Sequence, residues 1–194
     1  MRSRGLVLLI ALACRPSLGF AQQAAMTGVA SWRMPAKYRA VQLQALRSAR
    51  RLLLAMADSM PERLYRDKAT PAQRDFAQQI GFAAGEAYRI GAFSSGIPSS
   101  PEVLDTAVAF ASRAGLERYI NRAYDRLEAW LAAQSDESRN QRIDFFGNDI
   151  PRWLAWDEIS AFTIWTEGQI VANFRKNGMA PPGYLFFEPT GVRR

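Results

Sequence analysis

Glu86, Asp157, Glu158 and Glu167 are the acids whose places on helical segments could set up acid–base chemistry, and the sequence gives them few partners. The chain has no histidine, and its single cysteine is Cys14. This excludes a Ser-His-Asp or Cys-His nucleophile pair, an imidazole general base and a zinc centre of the usual His and Cys ligands. Di-iron helical proteins use Glu-x-x-His steps, which cannot occur here. Asp157 and Glu158 are adjacent, so they point to different sides of a helix. All four acids are therefore expected on solvated faces. Asp144 and Asp149 are too sparse for a calcium loop. Lys37, Lys68 and Lys176 are the only lysines, and none stands in a Ser-x-x-Lys frame. Ser94 to Pro101 is rich in serine but lacks G-x-S-x-G and reads as a connector.

Helices must position whatever site remains. From Lys37 to Ser59, Tyr38, Val41, Ala45, Ala49, Leu52 and Met56 recur at helical spacing. Arg39, Arg47, Arg50 and Arg51 fall mostly on the outer side, where a solvated face is expected. Tyr65 to Arg74 reads as a loop. Asp75 with Gln78 makes a capping box for a second helix reaching about Phe93, in which Gly81 and Gly85 permit close approach. Glu102 to Ala133 is helical by period, divided at Gly115. Phe145 to Asn148 reads as a turn, Asp149 as a cap and Pro151 as a first-turn residue. The last helix runs to Lys176, with Gly178 at its C-cap and Gly168 permitting close approach. No segment alternates as a strand, so an all-α, four-helix bundle is predicted.

The chain of 194 residues, 48% hydrophobic and 22% charged, is long enough for one core. Arg2 and Arg4, the apolar run Gly5 to Ala13 and the small residues Gly19 and Ala21 read as a signal peptide over 1–21. The run is too short to span a bilayer, which needs about 20 residues. Cleavage would leave no transmembrane anchor and a periplasmic or extracellular protein. Acylation of Cys14 as a lipoprotein is the lesser reading. Removal of Arg2, Arg4 and Arg15 lowers the net charge from +7 to +4, a mild value that argues against nucleic acid as a partner. Residues 22–36 read as a linker, 37–187 as the helical domain and 188–194 as a tail.

Trp165-Thr166-Glu167-Gly168-Gln169, then Arg175, Gly178 and Pro181-Pro182, resembles the end of the DinB/YfiT-like family. There the last helix reads His-x-x-x-His-x-Gly-Gln, followed by an arginine, a glycine and a proline pair. Phe76-Ala77-Gln78-Gln79-Ile80 resembles the family's approach to its first ligand histidine. The resemblance covers about residues 37–187. It implies a four-helix bundle, usually dimeric, in a family assigned metal-dependent hydrolases and thiol transferases with a three-histidine centre. The three ligand positions fall on Phe82, Phe162 and Thr166. Phenylalanine has no lone pair to give, and threonine is a poor ligand for a transition metal. The expectation is therefore no metal and no cofactor.

Phe82, Phe162 and Trp165 are then expected to floor an apolar pocket, with Glu86 and Thr166 as its polar groups. The same rings could instead fill the cavity as core. The functional expectation is an exported, non-catalytic domain that binds a small apolar ligand or a protein partner, a second copy included. The alternative is a hydrolase or transferase of the DinB/YfiT-like type working without the metal, with Glu86 as general base beside Thr166.

Overall fold

The computed structural model describes residues 33–97 and 109–183. The expected signal peptide, most of the linker, the 98–101 end of the connector, the 102–108 part of the third helical segment and the C-terminal tail lie outside the described residues. Four long helices dominate: α1 (Tyr38–Ser59), α2 (Phe76–Ser95), α3 (Arg113–Ala133) and α5 (Arg152–Lys176). A one-turn 3-10 helix (Glu62–Leu64), the short α4 (Asp136–Asn140) and the strands β1 (Arg142–Phe145) and β2 (Asn148–Pro151) complete the described elements.

The long helices pack around one core in the order α1–α3–α2–α5, so α1 lies diagonal to α2. Polar contacts fix their directions. Arg39 at the start of α1 meets the Ala132 carbonyl at the end of α3, and Asp58 at the end of α1 meets Arg113 at the start of α3, so these two are antiparallel. Gln42 of α1 meets the Trp153 carbonyl at the start of α5, so these run parallel. Gln79 of α2 meets Gln169 of α5, and Ser94 meets Arg152, so α2 and α5 are antiparallel. The core holds Leu53, Met56, Phe76, Ile80, Leu116, Ile120, Leu127, Ile159, Ile170 and Phe174, all buried.

Local chemistry sets the ends of α2. The Asp75 carboxylate accepts from Gln78 N at 2.8 Å and Gln78 Oε1 accepts from Asp75 N at 3.1 Å, the expected capping box. Gly96 ends the helix in the left-handed region at φ 71°. Small residues on α2 admit its neighbours: a Cβ on Gly81 would overlap the Phe110 ring, and one on Gly91 would overlap Leu127.

Several expectations change. The helical segment breaks at residues 110–112 rather than at Gly115, which is the third residue of α3 and whose N–H donates to the capping hydroxyl of Ser112. Gly168 is exposed, with nothing within 4 Å of a Cβ built there, so it admits no neighbour. Residues 142–151 form a hairpin where no strand was expected. Its register pairs Ile143 with Ile150 and Asp144 with Asp149. The two loop residues, Phe146 and Gly147, have φ 51° and 82°, the positive values that a tight primed hairpin turn requires. The Phe146 ring stacks on Phe93 at 5.1 Å, a contact that helps hold a bulky residue in this unfavourable region. Asp149 caps nothing and pairs with Arg142 at 2.8 Å, while Pro151 is the N-cap of α5 rather than a first-turn residue.

The α1 arginines are not a simple solvated face either. Arg50 reaches Asp125 at 2.8 Å, Arg47 reaches Glu128 at 2.8 Å, and Arg39 donates to the Gln134 carbonyl at 2.7 Å. Such exposed pairs each add about 0–1 kcal/mol. A buried polar cluster closes this end more firmly. Arg139 is fully buried, paired with Asp136 at 2.7 Å, and donates to Gln42 and to the Ala36 carbonyl. Replacing Asp75 by Ala removes the α2 cap and should lower stability by about 1–2 kcal/mol in urea denaturation, whereas Asp75→Asn should cost much less.

Candidate functional site

The first two of the three matched positions meet. Phe82 of α2 and Phe162 of α5 touch edge to face, with ring centroids 5.6 Å apart. Both are half-buried. Thr166, one turn beyond Phe162, is fully buried, and its hydroxyl donates to the Phe162 carbonyl at 2.9 Å. That bond occupies the threonine's proton inside its own helix. Gln79 and Gln169, which belong to the two sequence motifs, join α2 to α5 through a bond of 3.0 Å.

An open groove of about 380 Å³ lies on the other side of Phe82, where α2 faces α3. Phe82, Phe110 and Tyr119 give it three aromatic walls, the Phe110 ring packing on Gly81, and Gly85 adds no side chain to the lining. Its polar groups are Arg74, Gln78, Glu86 and Arg89. Glu86 pairs with Arg89 one turn on, at 3.1 Å. The Arg74 guanidinium lies over the Phe82 ring, 3.7 Å from its centroid. Burial, then the Glu86 charge, pushes the Tyr119 hydroxyl up to about 12, so it stays protonated as a donor.

The expected pocket is therefore assembled in part. Phe82 and Glu86 line the groove; Phe162, Trp165 and Thr166 do not. Trp165 is 62% exposed on the outer side of α5 and does not line this groove, although it still lies 6.0 Å from the Phe162 ring. Glu86 and Thr166, the candidate acid–base pair, face different surroundings: one is ion-paired in the groove, the other bonded within its helix. Arg74, Phe110 and Tyr119 were missed. Arg74 lies in the loop just before the α2 cap, and the other two sit where α3 begins.

Two acids expected on solvated faces are not there. Asp157 is half-buried and accepts from Tyr38 and Gln42, at 3.0 and 2.8 Å. Burial raises its pKa, and these two hydrogen bonds oppose the shift. Glu167 is only 4% exposed, and its Oε1 has no hydrogen-bond partner. Burial alone pushes it up to about 8. Across the core, the buried Tyr124 hydroxyl is also without a partner. Burial chiefly, and the Glu167 charge in addition, raise the pKa of that phenol. Among the described residues no cluster of three or more His, Cys, Asp or Glu side chains could hold a metal ion, and no helix is long and apolar enough to cross a membrane.

Compared with protein-family models, with curated proteins and with solved structures, the chain has no match.

Because Glu167 ionises near 8 in the fold and near 4.5 in the open chain, the fold holds its proton more tightly across that interval. Stability should fall as pH rises through this window. Urea midpoints measured between pH 5 and 9 should decline for the wild type, and Glu167→Gln should remove most of that decline and be the more stable protein at pH 9. Parallel pH profiles for the two proteins would contradict the burial of an unpaired carboxyl.

Proposed function

We propose that this chain is an exported, non-catalytic domain related to the DinB/YfiT-like proteins, and that it binds a small apolar ligand in the groove between α2 and α3. One observation carries the reading. Phe82, matched to the family's first ligand position, touches the residue matched to the second and also forms a wall of the groove. An aromatic contact thus stands where the family holds its metal. The residues present do not fit a metal: two have no donor atom, and the Thr166 hydroxyl is committed to a backbone carbonyl. The Gln79–Gln169 bond between the two motifs supports the relationship.

The groove's volume lies toward the small end of the range for small-molecule sites, about 300–1,000 Å³. Its aromatic walls favour an apolar body. Nothing in the arrangement favours the catalytic alternative, because Glu86 already has a partner and Thr166 is turned inward. A second copy of the chain is the protein partner best supported. On α5, Ile164 and Trp165 are exposed between the acid Glu158 and the base Arg175. Two such helices laid antiparallel would set opposite charges against each other at both ends.

Elemental analysis tests the metal side of this reading. Tag-free wild-type protein should hold no stoichiometric zinc, nickel or iron. The triple variant Phe82→His, Phe162→His, Thr166→His should gain one bound zinc or nickel per chain, since its first two positions already meet across α2 and α5. A tightly held ion in the wild type, or no metal gain in a folded triple variant, would contradict the assignment.

A further inference from the structure

The groove carries one cation without an acid, and that cation says which ligands fit. Of its three charged lining residues, Arg89 and Glu86 pair with each other at 3.1 Å. Among the described residues Arg74 makes no salt bridge and no hydrogen bond, and its close partner there is the Phe82 ring, 3.7 Å below the guanidinium carbon. Stacking uses the flat face of a guanidinium and leaves the N–H donors around its edge free. Those donors lie in the plane needed to grip a carboxylate with two parallel bonds. Contact with the ring also restricts the side chain before any ligand arrives, so less rotamer freedom is lost on binding.

The neighbouring groups fit the same picture. Gln78 Oε1 is taken up by the α2 cap, so this amide presents its N–H donors. Tyr119 keeps its phenolic proton and faces Glu86. The three rings define a slot for a flat apolar body, with the Phe110 ring packed directly on Gly81 and Gly85 adding no side chain to the lining.

We infer that the groove selects small aromatic acids: a single ring seated among Phe82, Phe110 and Tyr119, with its carboxylate held by Arg74. This inference rests on the proposed ligand-binding role and narrows it from apolar ligands in general to apolar anions. Glu86 is part of the selectivity, because its charge, although paired, disfavours a second negative group deeper in the slot.

Titration calorimetry of the mature chain with two near-isosteric probes, 3-phenylpropionate and 3-phenylpropanamide, tests the inference apart from the role beneath it. The acid should bind about tenfold or more tightly than the amide, the factor expected from one charge-assisted pair. Arg74→Gln should bring the acid down to the level of the amide and leave the amide within about twofold of its wild-type value. Arg63→Gln, at an exposed arginine outside the groove, should change neither. Rising salt should weaken the acid and spare the amide. Equal binding of the two probes would leave the apolar site standing and overturn the inference. A preference for the acid that survives Arg74→Gln would overturn it as well. Binding of neither probe would overturn both the inference and the ligand-binding role.

Discussion

The structure depends on how closely α2 can be approached. Most of its buried residues are small, Gly81, Ala83, Ala84, Gly85, Ala87, Gly91 and Ala92 among them, with Phe76, Gln79, Ile80 and Tyr88 as the large ones. Phe110 fits against Gly81 and Leu127 against Gly91, at places where a Cβ would collide. Each glycine costs about 1 kcal/mol of helix propensity relative to alanine. The return is a helix on which α3 and α5 both close tightly. The larger residues Gln78, Phe82, Glu86 and Arg89 then form a row along its margin, spaced by three or four positions. That row meets Phe162 on one side and makes the groove on the other. The site is thus a consequence of where α2 has side chains and where it has none.

Polar groups act at the two ends of the helical body. At one, Gln42 joins Arg139, Asp157 and the Trp153 carbonyl, which ties α1, α4 and α5 in a single register. At the other, Asp67 receives Lys176 and Asn177 of the α5 terminus, and both bonds hold its carboxyl below the usual range. Between them the buried residues are mostly apolar, with Glu167, Tyr124, Thr163, Thr166 and Gln79 among the exceptions. A partnerless carboxyl in such surroundings is stable only while protonated. The middle of the molecule therefore disfavours a fixed charge, and the Arg74 cation of the groove lies at its surface.

What the sequence revealed followed from whether its signals were local. The start of α2 was legible because Asp75 and Gln78 satisfy each other within one turn. The hairpin was not, because its strands are four residues each and Phe146-Gly147 replaces the usual Asn-Gly or Asp-Gly. In hindsight Arg142-Ile143-Asp144-Phe145 does alternate. Along α5 the difficulty was different. Apolar residues occur around its whole circumference, so periodicity did not say which face turns inward. Trp165 was assigned to the pocket and Glu167 to solvent, and their places are reversed. Yet Trp156, Ile159, Thr163, Glu167, Ile170 and Phe174 form a continuous inward stripe. The acid was set aside for its charge, although its spacing matched the core. The meeting of Phe82 with Phe162 was expected only through the family resemblance. Arg74 and Phe110 reach the groove from outside the regular helices, beyond the reach of any pattern along one helix.

The proposed ligand site is the groove beside Phe82, and not the exposed aromatics elsewhere. Intermolecular nuclear Overhauser effects between 3-phenylpropionate and the phenylalanine- and tyrosine-labelled protein address this directly. Contacts from the ligand ring to Phe82, Phe110 and Tyr119 are predicted. Contacts instead to Trp165 on α5, or to Phe93 and Phe146 at the hairpin, with none to Tyr119, would contradict it.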